Sequence, residues 1–430
     1  MGLTALFLGA VGATSAVVRT LQTAEASAGP RISEAEVLEL DIDFFQARVA
    51  RDSFSARDFA ELSRLFLQRS RTGGGDGDLR RAETHARRSL RLRAGRNQEA
   101  FQVLASSLMG QHRFPEARTV AERLVVLDSA YRPARAMLGE IQLELGAYEE
   151  ARHTFGMLLT SRTDLSVAPR YARWEELRGR PAEARRLLRK ARDEASSRHE
   201  MPAAHLAWFY WRLGDLALRH GRVREAEQEL EAGLAVVPDD HRLLDALARA
   251  AASRGHWREA IDYGERAIAK TLDPATLGLL YQAYAASGDS GKAEEYYRAM
   301  SVTVLGQPDT FHRLWGLLLL DRGREVPAVL ARAEREIQVR RDVYGWDLLA
   351  WALHKSGRDA EAAEKMRHAL ALGTIDASLF YHAGMIEAAL GRPSDARRHL
   401  EAALAVNPHW HPSQPAEAKR VLDRLDRRGD

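Results

Sequence analysis

Apolar residues recur three and four positions apart along most of this chain, as in Ala226, Leu230, Leu234 and Ala235. That spacing places side chains on one face of a helix. No stretch alternates with period two over a useful length, so the pattern predicts helices and essentially no sheet. The helical pattern itself repeats. Ala82, Ala117, Ala151, Ala184, Ala226, Ala260, Ala293, Ala328, Ala362 and Ala396 follow one another in steps of 35, 34, 33, 42, 34, 33, 35, 34 and 34 residues. Five residues before nearly every one stands a glycine: Gly77, Gly146, Gly179, Gly221, Gly255, Gly288, Gly323, Gly357 and Gly391. At the Ala117 copy His112 takes its place. Self-similarity at this period predicts a stacked array of two-helix units.

The spacing has a physical cause. Each unit reads as a helix, a tight turn, a second helix and a return loop. The glycine ends the first helix, where a left-handed backbone is cheap only without a β-carbon. The alanine lies where the second helix presses on the first, and a larger side chain would force the pair apart. The phrases LELGAYEEA (143–151), AASRGHWREA (251–260) and LHKSGRDAEA (353–362) repeat this arrangement. One unit departs from it. Around Ala328 the arginines Arg332 and Arg335 stand where apolar residues belong, which predicts a shifted helix burying Val326, Val329, Leu330, Ala333 and Ile337.

The flanks read differently. Residues 29–55 form a lead-in, with helices over Glu34 to Leu40 and Asp41 to Arg51 that pack Val37, Leu40, Phe44 and Phe45 on the first repeat as a cap. The run TGGGDGD (72–78) reads as a mobile turn. A phosphate cradle there lacks the following Lys-Ser or Lys-Thr pair, and a calcium loop lacks carboxylates and a distal glutamate. The longer step between Ala184 and Ala226 predicts an extended loop around Ser196 to Pro202. The array runs over 56–408, and 409–430 supply a closing helix and tail with a polar outer face.

Composition narrows the chemistry. Cysteine is absent, which removes disulfides, thiolate metal sites, redox switches and a thiol nucleophile. Net charge is +3, and only six of the 63 basic residues are lysine. Arginine excess beside abundant alanine reflects a GC-rich coding sequence better than phosphate binding. Two arginine clusters, Arg80 to Arg96 and Arg178 to Arg192, fall on second helices, the outer wall, and are interrupted by Glu83 and Glu183. No basic stripe follows the inner side, so no nucleic-acid partner is expected. Catalysis finds little footing. His205 comes too late after His199-Glu200 for both histidines to face one ion, and no nucleophile elbow exists. The run NPHWHP (407–412) reads as a packed turn rather than a metal site, and His382 as a contact between repeats rather than a base. No catalytic, metal or cofactor-binding residue is assigned, no cofactor is expected, and the chain does not read as an enzyme.

These residues carry a resemblance to the tetratricopeptide repeat family. One copy matches through Leu138-Gly139, Gly146, Tyr148, Ala151 and Phe155. Another matches through Tyr210, Leu213-Gly214, Gly221, Ala226, Leu230 and Pro238. A third runs from Trp346 through Leu349, Gly357 and Ala362, and a fourth from Phe380 through Gly384, Gly391, Ala396 and Pro408. The match covers 56–426. A narrower likeness, to bacterial repeat proteins of no settled function, rests on RRDVYGWDLLAWALHKSG (340–357) and LGTIDASLFYHAGMI (372–386). The resemblance implies an all-α, right-handed superhelical solenoid of about ten helix-turn-helix repeats. It also implies that a protein or peptide partner docks on the concave wall built from first helices. Carried over position by position, that wall is Arg173, Trp208, Trp211, Arg242, Arg249, Arg313, Tyr344, Asp347, Trp351, His354 and Tyr381. Arginine and aromatic residues are the types enriched in binding hot spots. The bland alternative is that Trp208, Trp211 and Trp351 only pack between repeats. The paired asparagine and lysine of chaperone-tail-binding members are missing from the wall, which argues against that partner class.

The first residues stand apart. Leu3 to Val18 is apolar and small, and Ala24-Glu25-Ala26 and Ala26-Ser27-Ala28 resemble the small-residue pattern before a cleavage point. The reading is an exported protein of the periplasm or cell envelope whose residues 1–28 are a signal peptide, with no stable membrane span after processing. A disordered, alanine-rich start on a cytoplasmic accessory or regulatory subunit of an enzyme complex is the alternative, because no basic residue precedes Leu3. We predict that N-terminal sequencing of the native protein begins at Ser27 or Gly29. A chain still starting at Met1 in the cytosol would refute export.

Overall fold

The computed structural model describes residues 33–305 and 313–429, so the expected leader 1–28 lies outside the described residues. Twenty-two α-helices and no strand are present among them. Helix α1 (Glu34–Arg51) precedes ten helix pairs. These are α2 (Ala56–Arg69) with α3 (Gly75–Leu92), α4 (Gln98–Gly110) with α5 (Phe114–Leu127), and α6 (Arg132–Leu145) with α7 (Tyr148–Gly156). Then come α8 (Ala168–Leu177) with α9 (Pro181–Ser197), α10 (Ala203–Arg219) with α11 (Val223–Val236), and α12 (His241–Ser253) with α13 (Trp257–Ile268). The last four are α14 (Pro274–Ala286) with α15 (Ser290–Leu305), α16 (Arg313–Asp321) with α17 (Val326–Glu336), α18 (Val343–Lys355) with α19 (Asp359–Leu370), and α20 (Ala377–Ala389) with α21 (Pro393–Val406). Helix α22 (Gln414–Gly429) closes the array. No described helix is long and apolar enough to cross a membrane.

The repeat signals act as their chemistry requires. Eight of the nine glycines have φ between 64° and 87°, the left-handed turn that ends a first helix. His112 adopts the same conformation at φ 58°, so the turn survives where the glycine does not. Gly77 is the exception. It lies inside α3, and the positive φ values fall on Gly73 and Gly75 instead. The repeat alanines are at most 4% exposed, apart from Ala328, which is exposed. In that unit Glu325 takes a left-handed conformation, and α17 starts one residue later. It buries Val329, Ala333 and Ile337, with Val326 and Leu330 half-buried, which is the shifted stripe.

Three expectations need correction. The lead-in is one helix rather than two, and it buries Leu38 and Ile42 with Phe45 and Val49 beside them, while Val37, Leu40 and Phe44 face outward. The run 72–78 is held in place: Ser70–Gly74 forms a π-helical turn, and buried Asp78 pairs with Arg69 at 2.7 Å and Arg81 at 2.8 Å. The extra residues before Ala226 lengthen α9 and α10 to 17 residues each instead of building a long loop.

The array coils far enough to touch itself. Arg341 N donates to Leu145 O at 3.1 Å, and Val343 N to the Tyr148 hydroxyl at 2.8 Å. The Thr374 hydroxyl donates to Leu177 O, and Asn407 Nδ2 to Leu218 O at 2.9 Å. The last three of these bonds join residues 195, 197 and 189 apart in sequence. Each lays the segment following a second helix on the glycine turn of the pair five units earlier. The fit is tight. A β-carbon on Gly146 would lie 2.3 Å from the Arg341 backbone, and one on Gly179 2.3 Å from Gly373 O. At Gly357 nothing lies within 4 Å. We predict that Gly357→Ala costs only its left-handed strain, about 1–2 kcal/mol. Gly146→Ala and Gly179→Ala should lower the melting temperature at least twice as far. Equal shifts by circular dichroism would show that the contact between coils carries no stability.

Candidate functional site

The first helices bring inner-wall charges together. Arg173 pairs with Glu176 at 2.9 Å, and Arg219 bridges Glu176 at 3.0 Å and Asp215 at 2.9 Å. Arg249 bridges Asp215 at 3.1 Å and Asp245 at 3.0 Å, and Asp245 accepts from the Thr276 hydroxyl at 2.9 Å. An unbroken polar chain thus links α8, α10, α12 and α14 along the interior. Burial pushes the Asp215 carboxyl up, but Arg219, Arg249 and Arg212 outweigh it and hold the group well below the ordinary carboxylate range. Removing one partner from such a buried set costs roughly 3–5 kcal/mol, because the other charge is left uncompensated.

A second network ties the coils together. Arg313 binds Asp342 through two bonds of 2.7 and 2.6 Å and reaches Glu336 at 2.9 Å. Arg340 joins Glu336 at 3.0 Å to Glu144 at 2.8 Å. Asp342 also caps α18, accepting from Tyr344 N and Gly345 N. Sequence reasoning missed it, although a signal was present. Asp240, Asp273, Asp342 and Asp376 each stand twenty residues before a repeat alanine, and each caps a first helix.

The proposed wall divides accordingly. Arg173, Arg249 and Arg313 are held by carboxylates, and Arg242 pairs with Asp240. Arg173 also lies 5.6 Å from the Tyr344 ring, across the contact between coils. Trp351, Tyr381 and Asp347 are buried at 1%, 1% and 3% exposure, so they are core residues and not a gripping surface. Trp351 donates to Asp321 at 3.0 Å and is sandwiched by His382 and His354, with ring centroids 4.2 and 4.9 Å away. His354 in turn bonds Asp359 at 2.6 Å. Trp208 and Trp211 are half-buried and tilted against each other at 6.3 Å. Replacing Trp351 therefore tests the core, with a truncation cost of about 3–5 kcal/mol.

His382 is fully buried and bonded to Asp347 at 2.8 Å. In NPHWHP, His411 Nδ1 accepts from Gln414 N at 3.3 Å, at the start of α22. Among the described residues no cluster of three or more metal-ligating side chains occurs.

Two further features are present among the described residues. One is an interior cavity of about 320 Å³ between α10, α12, α14, α16, α20 and the loop before α22, reached by Arg219, Arg249, Leu317, Asp321 and Trp410. The other is the outer face of α1. Val37, Leu40 and Phe44 are 45%, 60% and 56% exposed there, and Phe54 just beyond the helix is 78% exposed.

The buried imidazole makes a pH test. Burial pulls His382 down, and Asp347, with Asp321 and Asp376 behind it, outweighs burial and holds the group above its ordinary value. A raised native value adds stability that is complete below the ordinary histidine range and is lost as pH rises through the native value. Several half-buried histidines, His220 among them at about 4, are shifted the opposite way, so the comparison must be between variants. We predict that the stability advantage of the wild type over His382→Gln is largest near about pH 6 and shrinks toward about pH 9. An advantage that does not change with pH would refute the charged pair.

Sequence models of the tetratricopeptide repeat match residues 102–158, 177–250 and 243–277. No curated protein matches the chain. Among solved structures, PilW, a type IV pilus biogenesis factor, is similar at 22% identity and a TM-score of 0.39, over 48% of this chain and 94% of that one. Yeast Tom70 is similar at 10% identity and a TM-score of 0.37, over 90% and 92% of the two chains. The APC/C hetero-tetramer Cut9–Hcn1 gives 12% identity and a TM-score of 0.35, over 92% and 96%. The 34-residue step, the recurrent left-handed turn, the buried alanine of nearly every pair and these sequence matches agree: the chain is a tetratricopeptide repeat protein.

Proposed function

We propose that this protein is a non-catalytic protein-interaction scaffold of the cell envelope, and that its partner docks on the N-terminal end of the stack. Repeats of this family support an interaction role, and the envelope assignment rests on the Leu3 to Val18 pattern. The outer face of α1 carries the docking argument. Internal helices of a stack bury one side within their pair and another on the next unit. Helix α1 has two apolar stripes, and only Leu38, Ile42, Phe45 and Val49 are used against the array. Val37, Leu40 and Phe44 lie roughly a third of a turn away, where a preceding helix would pack. The other end differs: α22 buries Ala418 and Val421 and shows no large exposed hydrophobic among its described side chains. A stack that is finished at one end and apolar at the other suits an amphipathic helix of a partner as its next layer.

The test compares affinity purifications of the tagged full-length protein and of Leu40→Glu with Phe44→Glu from native cells. A partner retained by the wild type and lost by the variant, with helicity unchanged, is the expected result. Identical co-eluting proteins would overturn the docking assignment. A wild-type dimer that the variant converts to monomer would assign the face to a second copy. An unchanged monomer whose N-terminal segment becomes protease-sensitive in the variant would assign it to residues before Ser33.

A further inference from the structure

We propose that the interior cavity binds a small organic carboxylate with an apolar body, at a site separate from the α1 face and independent of it. The argument begins with charge. Four guanidinium groups meet on the inner wall, those of Arg173, Arg212, Arg219 and Arg249, against three carboxylates, Glu176, Asp215 and Asp245. Each guanidinium offers five N–H donors and no acceptor, so donors outnumber acceptors. Arg212 shows the shortage. Its guanidinium forms no hydrogen bond among the described residues, lies 5.5 Å from the Trp211 ring, and has one ion pair, a 3.8 Å approach to Asp215, which already serves Arg219 and Arg249. Its side chain is 14% exposed. Arg219 Nε is buried without a partner. A cation enclosed by protein and short of acceptors is costly, and an added anion relieves that cost.

Of this set Arg219 and Arg249 line the cavity, while Arg173 and Arg212 stand behind them. Arg219 Nη1 and Arg249 Nη2 each lack a hydrogen bond among the described residues. Much of the remaining lining is hydrocarbon, from Leu218, Leu279, Met300 and Leu318. Two carboxylates share the wall, and both have other work. Asp321 accepts from Trp351 at 3.0 Å and from Gln414 at 3.1 Å, with His411 at 3.7 Å. Asp376 caps α20 through Ser378 N and Leu379 N and pairs with none of the arginines. A volume of about 320 Å³ lies at the small end of the range for ligand sites. The chemistry that fits is one carboxylate among the arginines with an aliphatic chain against the leucines.

Octanoate is the probe, measured by calorimetry and by thermal shift on the full chain. Octanol and octylamine keep the tail and change the head, and acetate keeps the head alone. Saturable one-to-one binding of octanoate is expected, at least roughly tenfold tighter than octanol, the scale of a charge-assisted hydrogen bond. Arg249→Gln, at the more exposed of the two arginines in the cavity wall, should erase the preference for octanoate over octanol. Leu317→Trp, which fills the cavity from a half-exposed wall position, should block octanoate and leave the wild-type circular dichroism spectrum. The proposal falls if octanoate does not saturate, if octylamine binds equally well, or if folded Arg249→Gln keeps the wild-type preference. Should Arg249→Gln fail to fold, unimpeded octanoate binding by Leu317→Trp would overturn it alone.

Discussion

The contact between successive coils governs the rest of this molecule. Backbone of Arg341, Gly373 and Asn407 rests directly on the turns at Gly146, Gly179 and Gly221, so at these points the two coils meet backbone to backbone. A left-handed turn would favour glycine in any unit. In these units the downstream loop also requires it, because the space a β-carbon would take is already filled. Local chain geometry and long-range closure thus fall on the same residue.

Closure changes what the inner wall is for. In an open stack, arginines and aromatics on first helices would face solvent and be available to a partner. Here Arg173 meets Tyr344 from the next coil, Arg340 reaches back to Glu144, and Trp351 is sealed among His382, His354 and Tyr381. Ions that would be weak at a surface become interdependent in the interior, where Glu176, Glu336 and Asp342 each serve two arginines and Asp215 serves three. The wall then holds the coil together, and its arginines and aromatics are engaged within the protein instead of facing a groove.

The pattern of the chain reveals much of this and misses some of it for identifiable reasons. The helix pairs, the buried alanines and the shifted stripe of α17 are legible because each rests on contacts within about 34 residues, where periodicity reports directly on packing. The stripe of α1 was misassigned because the helix carries two apolar faces, and sequence alone does not say which one meets the array. Trp351 and Tyr381 were placed on a groove because they occupy groove positions of the repeat. Their polar ends are taken up by neighbours on other helices, Asp321 and Glu417, whose side-chain directions the periodicity of one unit does not report.

The amino-acid sequence by itself determined the unit: the left-handed turn that ends most first helices, which small residue lets a pair approach, and how many pairs stack. These are short-range matters of propensity, capping and periodicity. Tertiary structure alone decided how tightly the stack coils, and with it which inner-wall residues are core, which ions pair across coils and where a cavity remains. A small rotation repeated at every junction sets the coil, and no single junction specifies the sum. Contacts between residues nearly 200 positions apart appear only once all the junctions are in place.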